Sequence, residues 1–245
     1  GAISMTYQIP FVDTLENIRK DFNDINNEYQ EQSVIDVKSV YKRISRYINK
    51  PFFFQMRSSY IVIQVNPQPK IIDIPTLKSN YGSVIASTLR FETETLSEYQ
   101  RNEILESAIG YFRGDVIIVD TDVSFVYDNE YMETLDLFEF ANIQQVELRY
   151  FDRVLDQKLN RFYEGEGRKL PLRSYIPFLS SIKSDPIVEL GQLKVDISVI
   201  AERLEGSVKL AGEPYYSDIY SVLVEKLDIK NWGHGIDRKL NIIHD

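Results

Sequence analysis

The longest uninterrupted helical pattern in the chain runs from Glu133 to Tyr163, ETLDLFEFANIQQVELRYFDRVLDQKLNRFY. Leu135, Phe138, Ile143, Val146, Tyr150, Val154 and Phe162 recur at steps near 3.6 and predict one buried face. Glu139, Asn142, Gln145, Arg149 and Asp152, continued by Asp156, step by three or four and predict a polar ladder on the same helix. Upstream, Phe11, Leu15, Ile18, Phe22 and Ile25 form a weak helical pattern. Val34, Val37, Tyr41, Ile44 and Ile48 form a clearer one, ended by Pro51.

Phe52–Met56 and Tyr60–Val65 read as a strand pair joined at Arg57-Ser58-Ser59. Asn66 to Pro69 is a turn, and Lys70–Ile74 and Ser83–Glu94 carry strand character. Ser97, with Gln100 three positions on, predicts a capped helix over Glu98–Ile109. Val116–Val119 and Ser124–Tyr127 form a second strand pair. After the long helix, Gly165, Gly167, Pro171, Pro177 and Pro186 mark a loop-rich stretch. Beyond it Leu190, Leu193, Ile197, Ile200 and Leu204 alternate steps of three and four, the a/d seam of a short coiled coil. A seam of that length needs a packing partner, so it predicts self-association. Tyr216, Ile219, Val222 and Leu223 start another helix, Trp232 opens a turn-rich segment, and Ile236, Leu240 and Ile243 form a last stripe.

The pattern predicts an α+β fold. Residues 6–130 form a mixed strand and helix region packed on the long helix, and residues 131–245 form a helical region. The latter divides into the long helix (132–163), a loop-rich part (164–188) and C-terminal helices (189–245).

Composition narrows the function. The 245 residues carry a net charge of −9, which disfavours nucleic acid as a partner. There are no cysteines, so disulfides, thiolate metal sites and cysteine nucleophiles are excluded. No apolar run reaches the ~18 residues that a membrane helix needs. His234 and His244 are the only histidines, and no HxxH or HExxH spacing occurs. No phosphate-binding glycine loop follows a strand, and Gly165 and Gly167 alternate with Glu164 and Glu166, which repel phosphate. No serine sits in a GxSxG turn. This inventory predicts a non-catalytic protein with no cofactor and no bound metal.

Three constellations remain. Asp115, Asp120, Asp122 and Asp128 surround the second strand pair, and Glu139 lies on the long helix. Asp120, Asp122 and Glu139 could form an acidic, Mg²⁺-dependent site, or the aspartates cap turns while Asp152 and Asp156 pair with Arg149, Arg153 and Lys158. The polar ladder is either a buried hydrogen-bond network that specifies one packing or the lining of a ligand pocket. Lys38, Lys42, Arg46 and Lys50, with Arg43 beside them, make a basic stripe in an acidic protein. It is either a solvated helix face or a surface for lipid headgroups or an acidic partner.

Three segments carry a family likeness: YFRGDVIIVDTDVSFVYD, TLDLFEFANIQQVELRYFDRVLD, and EGSVKLAGEPYYSDIY with WGHGIDRKLNII. They resemble the "required for meiotic nuclear division 1" proteins of mitochondria and their uncharacterised bacterial homologues. The likeness covers the chain from about residue 97 on and the first 95 residues more loosely. It implies a soluble domain held at a membrane by a segment that follows Asp245, with no established catalytic residues. With the empty catalytic inventory it leads to the expectation of a non-catalytic scaffold at the cytoplasmic face of the membrane, and the a/d seam adds a homo-oligomer through Leu193, Ile197, Ile200 and Leu204.

Overall fold

A computed structural model of the chain describes residues 1–49, 51–67, 72–112, 114–163, 191–195, 197–198 and 214–242. The fold is α+β, as the pattern predicts. It divides into two compact units. The first comprises Gly1–Ile143 with Glu213–Leu227, and the second Gln144–Gly212 with Asp228–Asp245.

In the first unit one helix, α1 (Leu15–Ile44), replaces the two predicted segments, and a 3₁₀ turn (Ser45–Tyr47) follows it. Thr14 caps it by accepting from the backbone N–H of Asn17. The polar run between the two apolar patterns continues the helix because other segments pack along it. Tyr7 rests on Tyr29 and donates to Asp36 at 2.6 Å, and Arg57 donates to the Gln30 carbonyl at 3.0 Å. The hydrogen bond to Asp36, with smaller help from burial, raises the Tyr7 phenol to about 12.

The predicted hairpin at Arg57–Ser59 does not form. Residues 52–56 have no strand pairing, and Phe53 instead packs its ring on Tyr41 at 4.9 Å. Only β1 (Ile61–Val65) is a strand, and it pairs parallel with β4 (Val123–Tyr127). Such a pair needs a long crossover. It is supplied by α2 (Ile74–Leu89), α3 (Glu98–Glu106), β2 (Ala108–Ile109) and β3 (Val116–Val119). The sheet order is β1-β4-β3-β2, with β3 antiparallel to both its neighbours. The predicted strand pair at 116–127 is therefore present.

Of the predicted strand at Ser83–Glu94, Ser83–Leu89 is in fact the second half of α2, and Arg90–Glu94 follow its end. Ile85, Thr88 and Phe91 are three apart, a helical step. Asp73 caps α2 by accepting from the Thr76 N–H at 3.0 Å. Of Lys70–Ile74, residues 70 and 71 lie outside the described set, and Ile74 begins the helix. Ser97 caps α3 as predicted, but that helix stops at Glu106, and Ala108–Ile109 pair with β3 instead.

Every residue of β3 and β4 is buried. Both sheet faces are covered, which is why their apolar runs are continuous instead of alternating. One face packs on Ile18 and Phe22 of α1, Leu77, Ile85 and Leu89 of α2, and Ile104 and Leu105 of α3. A further helix, α5 (Pro214–Lys226), also lies against β3.

The long helix α4 (Met132–Tyr163) matches its predicted span, but its deepest stripe does not. Thr134, Phe138, Ala141, Gln144, Leu148, Phe151, Leu155 and Leu159 are buried. Leu135, Ile143, Val146, Tyr150 and Val154 are half-buried beside them. Two apolar stripes run side by side on this helix, and periodicity alone does not rank them. The side chain of Phe162 lies outside the described set.

In the second unit, α6 (Ile229–Ile242) runs straight through Trp232, which is not a turn. Ile236 and Leu240 are buried as their stripe predicts. Lys239 donates to Asp152 at 2.6 Å and lies 2.7 Å from Asp156. Burial pulls the Lys239 ammonium down, but the two carboxylates outweigh it and hold its pKa above the ordinary 10.5. A cation with a raised folded pKa contributes fully below its unfolded pKa and loses that contribution as pH climbs through the folded value. Lys239→Met is therefore expected to cost about 1 kcal/mol at neutral pH, a modest figure because the group is part-exposed. The gap between variant and parent closes above about pH 10.5. Urea denaturation at pH 7 and pH 11 checks this, and a gap that stays constant contradicts the assignment.

Candidate functional site

The acidic residues of the second strand pair are separated by their environments. Asp120 ends β3 with its side chain only 4% exposed, and Arg90 Nε meets it at 2.8 Å. Arg90 is the C-cap of α2, and the residue after it, Phe91, has φ 57°. That left-handed turn closes α2 in the manner of a Schellman motif, with Glu92 N–H donating to the Ser87 carbonyl at 2.9 Å. A non-glycine residue there is strained by roughly 1–2 kcal/mol. The Phe91 ring offsets this by packing on Phe22, 5.4 Å between centroids.

On the other side of Asp120, the Tyr60 hydroxyl donates to its carbonyl at 2.8 Å and lies 2.5 Å from Ser124 Oγ. Tyr60 has one proton to give, so Ser124 is the donor in the second bond. Burial drives the Tyr60 phenol above its usual range; the Ser124 bond opposes the shift, and the charges of Asp120 and Asp122 add to it. Its ring stacks on Phe138 of α4, 5.5 Å between centroids.

Asp115 is buried and accepts from the backbone N–H groups of Tyr111, at 3.1 Å, and Phe112, at 2.7 Å. It holds a tight loop in which a Cβ on Gly110 would lie 2.7 Å from the Asp115 carbonyl oxygen. Tyr111 and Phe112 stand 60% and 73% exposed on that loop. Asp128 accepts from Glu130 N–H at 3.0 Å and so caps a turn. Asp122 is exposed, as is Glu139. Asp120, Asp122 and Glu139 thus differ in burial and partners. Among the described residues no three His, Asp or Glu side chains are grouped to hold a metal ion.

Asp122 does line a cleft of about 240 Å³, together with Asn26, Gln30, Ser59, Ile61 and Phe91. The Gln30 amide is oriented there, since its oxygen accepts from Arg57 at 3.3 Å and its nitrogen donates to Asn26 at 3.2 Å. These lining residues were not legible in the sequence. They come from α1, the start of β1 and the segment before it, the end of α2 and the β3–β4 turn, and none carries a motif.

The polar ladder of α4 is not buried. Asn142, Gln145, Arg149 and Asp152 are half-buried, and the fully buried polar groups of the helix are Thr134 and Gln144. Lys239 meets both Asp152 and Asp156, a cation that the expected set of Arg149, Arg153 and Lys158 does not include. Leu193 and Ile197 are buried, whereas Ile200 and Leu204 lie outside the described residues. Lys38, Lys42, Arg43 and Arg46 are exposed, and Lys50 lies outside the described residues. His234 is exposed on α6, and His244 and the 164–167 glycine stretch are also outside them. No helix among the described residues is long and apolar enough to cross a membrane.

Arg90→Ala leaves the Asp120 carboxylate buried without its cation. Removing one partner of a buried pair costs about 3–5 kcal/mol, and about 2–3 kcal/mol is expected here because Arg90 is 43% exposed. Adding Asp120→Asn removes the stranded charge and should recover part of the loss. Chemical denaturation of the single and double variants reads both effects; a double variant worse than the sum of the singles contradicts the pairing.

Comparison with known proteins matches residues 1–133 to the family described as "Uncharacterized protein MJ0711, N-terminal domain". The "Uncharacterized protein MJ0711" of Methanocaldococcus jannaschii is 27% identical over 165 residues, 66% of this chain and 49% of that protein. The chain spans about half the length of this relative. No solved structure matches. These matches support an uncharacterised domain family and do not extend to the meiotic nuclear division proteins. The family match falls on the first part of the chain, where the likeness to those proteins is loosest. With more than half of its 245 residues inside the match, the chain belongs to the family of the MJ0711 N-terminal domain.

Proposed function

We propose that this chain is a non-catalytic interaction domain, a scaffold whose surface does the work. The observation that carries this reading is the use made of the buried acids. Asp120 is paired with Arg90, and Asp115 is bonded to two backbone N–H groups of its own loop. A carboxylate engaged in this way is held for structure and is poorly placed to move protons or hold a metal. Tyr111 and Phe112, exposed on the loop that Asp115 holds, support the interaction side of the reading. Rigid exposed aromatics bury much area at little entropic cost.

A second reading, a small polar ligand at the Asp122 cleft, is favoured by the oriented Gln30 and Asn26 amides beside the Phe91 ring. Thermal melting with and without Mg²⁺ and nucleotides separates the two. The interaction-domain reading expects no shift beyond about 1 °C. A ligand present at 100 times its dissociation constant stabilises by about 2.7 kcal/mol, several degrees in a protein of this size. A shift of that size that Asn26→Leu abolishes moves the ligand reading to the front.

The setting we propose is the cytoplasmic face of a membrane, supported by the resemblance to the meiotic nuclear division proteins. Expression of the whole native protein with an N-terminal tag tests it. Recovery in the membrane pellet after carbonate extraction is the expected outcome, and a freely soluble product removes the proposal.

A further inference from the structure

The solvent-facing stripe of α1 has a charge order that no ion pair among the described residues uses, although Arg46 at its end lies over the Tyr47 ring, 4.8 Å from the centroid. Asp24, Glu28, Glu31, Ile35, Lys38, Lys42 and Arg46 follow one another at steps of three and four. At 100° per residue the first six lie within about 40° of one line along the helix, and Arg46 follows on the 3₁₀ turn that continues it. All are exposed, and Ile35 is 63% exposed although apolar. The stripe therefore reads three acids, one isoleucine, three bases.

This order is unfavourable for a lone helix. Asp24 and Glu28, Lys38 and Lys42, and Lys42 and Arg46 place like charges at i,i+4, where they repel. The helix dipole favours acids early and bases late, but it fades within the first and last turns. It accounts for Glu16, Lys42 and Arg43, not for Asp24, Glu28, Glu31 or Lys38. None of the six charged side chains forms a salt bridge with another described residue.

The sequence of charges is self-complementary when reversed. Two such helices laid antiparallel, with Ile35 against Ile35 of the partner subunit, put Asp24 opposite Arg46 of the partner subunit and Glu28 opposite Lys42 of the partner subunit. Glu31 falls beside Lys38 of the partner subunit, and two-fold symmetry repeats each pair. A two-fold interface uses one patch on both copies, so a patch must carry both signs, disposed about its centre. That is the arrangement here, with the one apolar residue at the centre. We propose that this chain forms a two-fold symmetric homodimer through antiparallel packing of α1 on α1 of a second copy. The inference is independent of the proposed function, since an enzyme could dimerise in the same way. It uses a different surface from the seam at Leu193 and Ile197.

The test uses the whole 245-residue chain and its mass in solution by light scattering. At about 0.05 M salt a dimer is expected, and its dissociation constant should rise at least about tenfold at 0.5 M as the pairs are screened. Glu28→Lys and Lys42→Glu should each give monomers, because each sets like charges face to face. Mixing the two variants should restore dimers, since every clash then becomes a pair. Circular dichroism confirms that each variant keeps its helices. Because the chain has no cysteine, Ile35→Cys should cross-link two copies under mild oxidation, and Tyr99→Cys, exposed on α3, should not. A monomeric parent at low salt, a dimer that survives both single reversals, or equal cross-linking at positions 35 and 99 overturns the proposal. The first outcome leaves the stripe to an acidic or lipid partner, and the second assigns assembly to another surface.

Discussion

A carboxylate withdrawn from water must find a partner, and Asp120 finds it in Arg90, thirty positions upstream and 2.8 Å away. Arg90 reaches its side chain only because α2 ends where it does, on the left-handed turn at Phe91. Tyr60 reaches its carbonyl, and the next residue, Ile61, donates to the Asp122 carbonyl at 3.0 Å. These contacts sit at the point where β1 enters its parallel register with β4. The end of a helix, the start of a strand and the turn of a hairpin thus meet at Asp120 and Asp122. The strained backbone of Phe91 belongs to the same arrangement, since its ring closes the side of the core next to α1.

The parts of this architecture that were legible in the sequence are those that depend on local physics. The span of α4, the strands at 116–119 and 123–127 and the cap at Ser97 all follow from periodicity, turn residues and a side chain that bonds its own neighbours. The parts that were not legible depend on distant partners. Nothing near Ile61 indicates that it pairs with Val123, and a hairpin to the aromatic run 52–56 is the natural local reading. Phe53 of that run instead packs on Tyr41 of α1. The stripe on α4 failed differently: two apolar stripes lie side by side on it, and tertiary packing chose the one through Ala141 and Leu148.

The candidate site shows the same division. Carboxylates clustered in sequence at 115–128 differ in environment, some buried and bonded and others exposed. Asp152 and Asp156 were expected to pair along their own helix but are bridged by Lys239, a residue more than eighty positions away. Asp122 has for neighbours Asn26, Gln30 and Ser59, which no motif distinguishes from any other polar residue. Chemistry built from amides and carbonyls leaves little trace in a sequence. This limits what composition can say about the chemistry of such a cleft.

The parallel pairing of β1 has a consequence for how the chain comes into being. Ile61 leaves the ribosome sixty-two residues before Val123, its partner in the sheet. At about 5–20 residues per second that is a wait of roughly 3–12 s. During it the run Ile61-Val62-Ile63-Gln64-Val65 has apolar side chains, no charge and an unpaired backbone, the profile of a segment that adheres to other chains. The crossover helices α2 and α3 are made in that interval, and they pack on one another without waiting for β4. Their early presence would give β1 an apolar surface to rest on before β4 exists. The order of elements in this domain is then also a timetable, with the helices acting as the strand's temporary shelter.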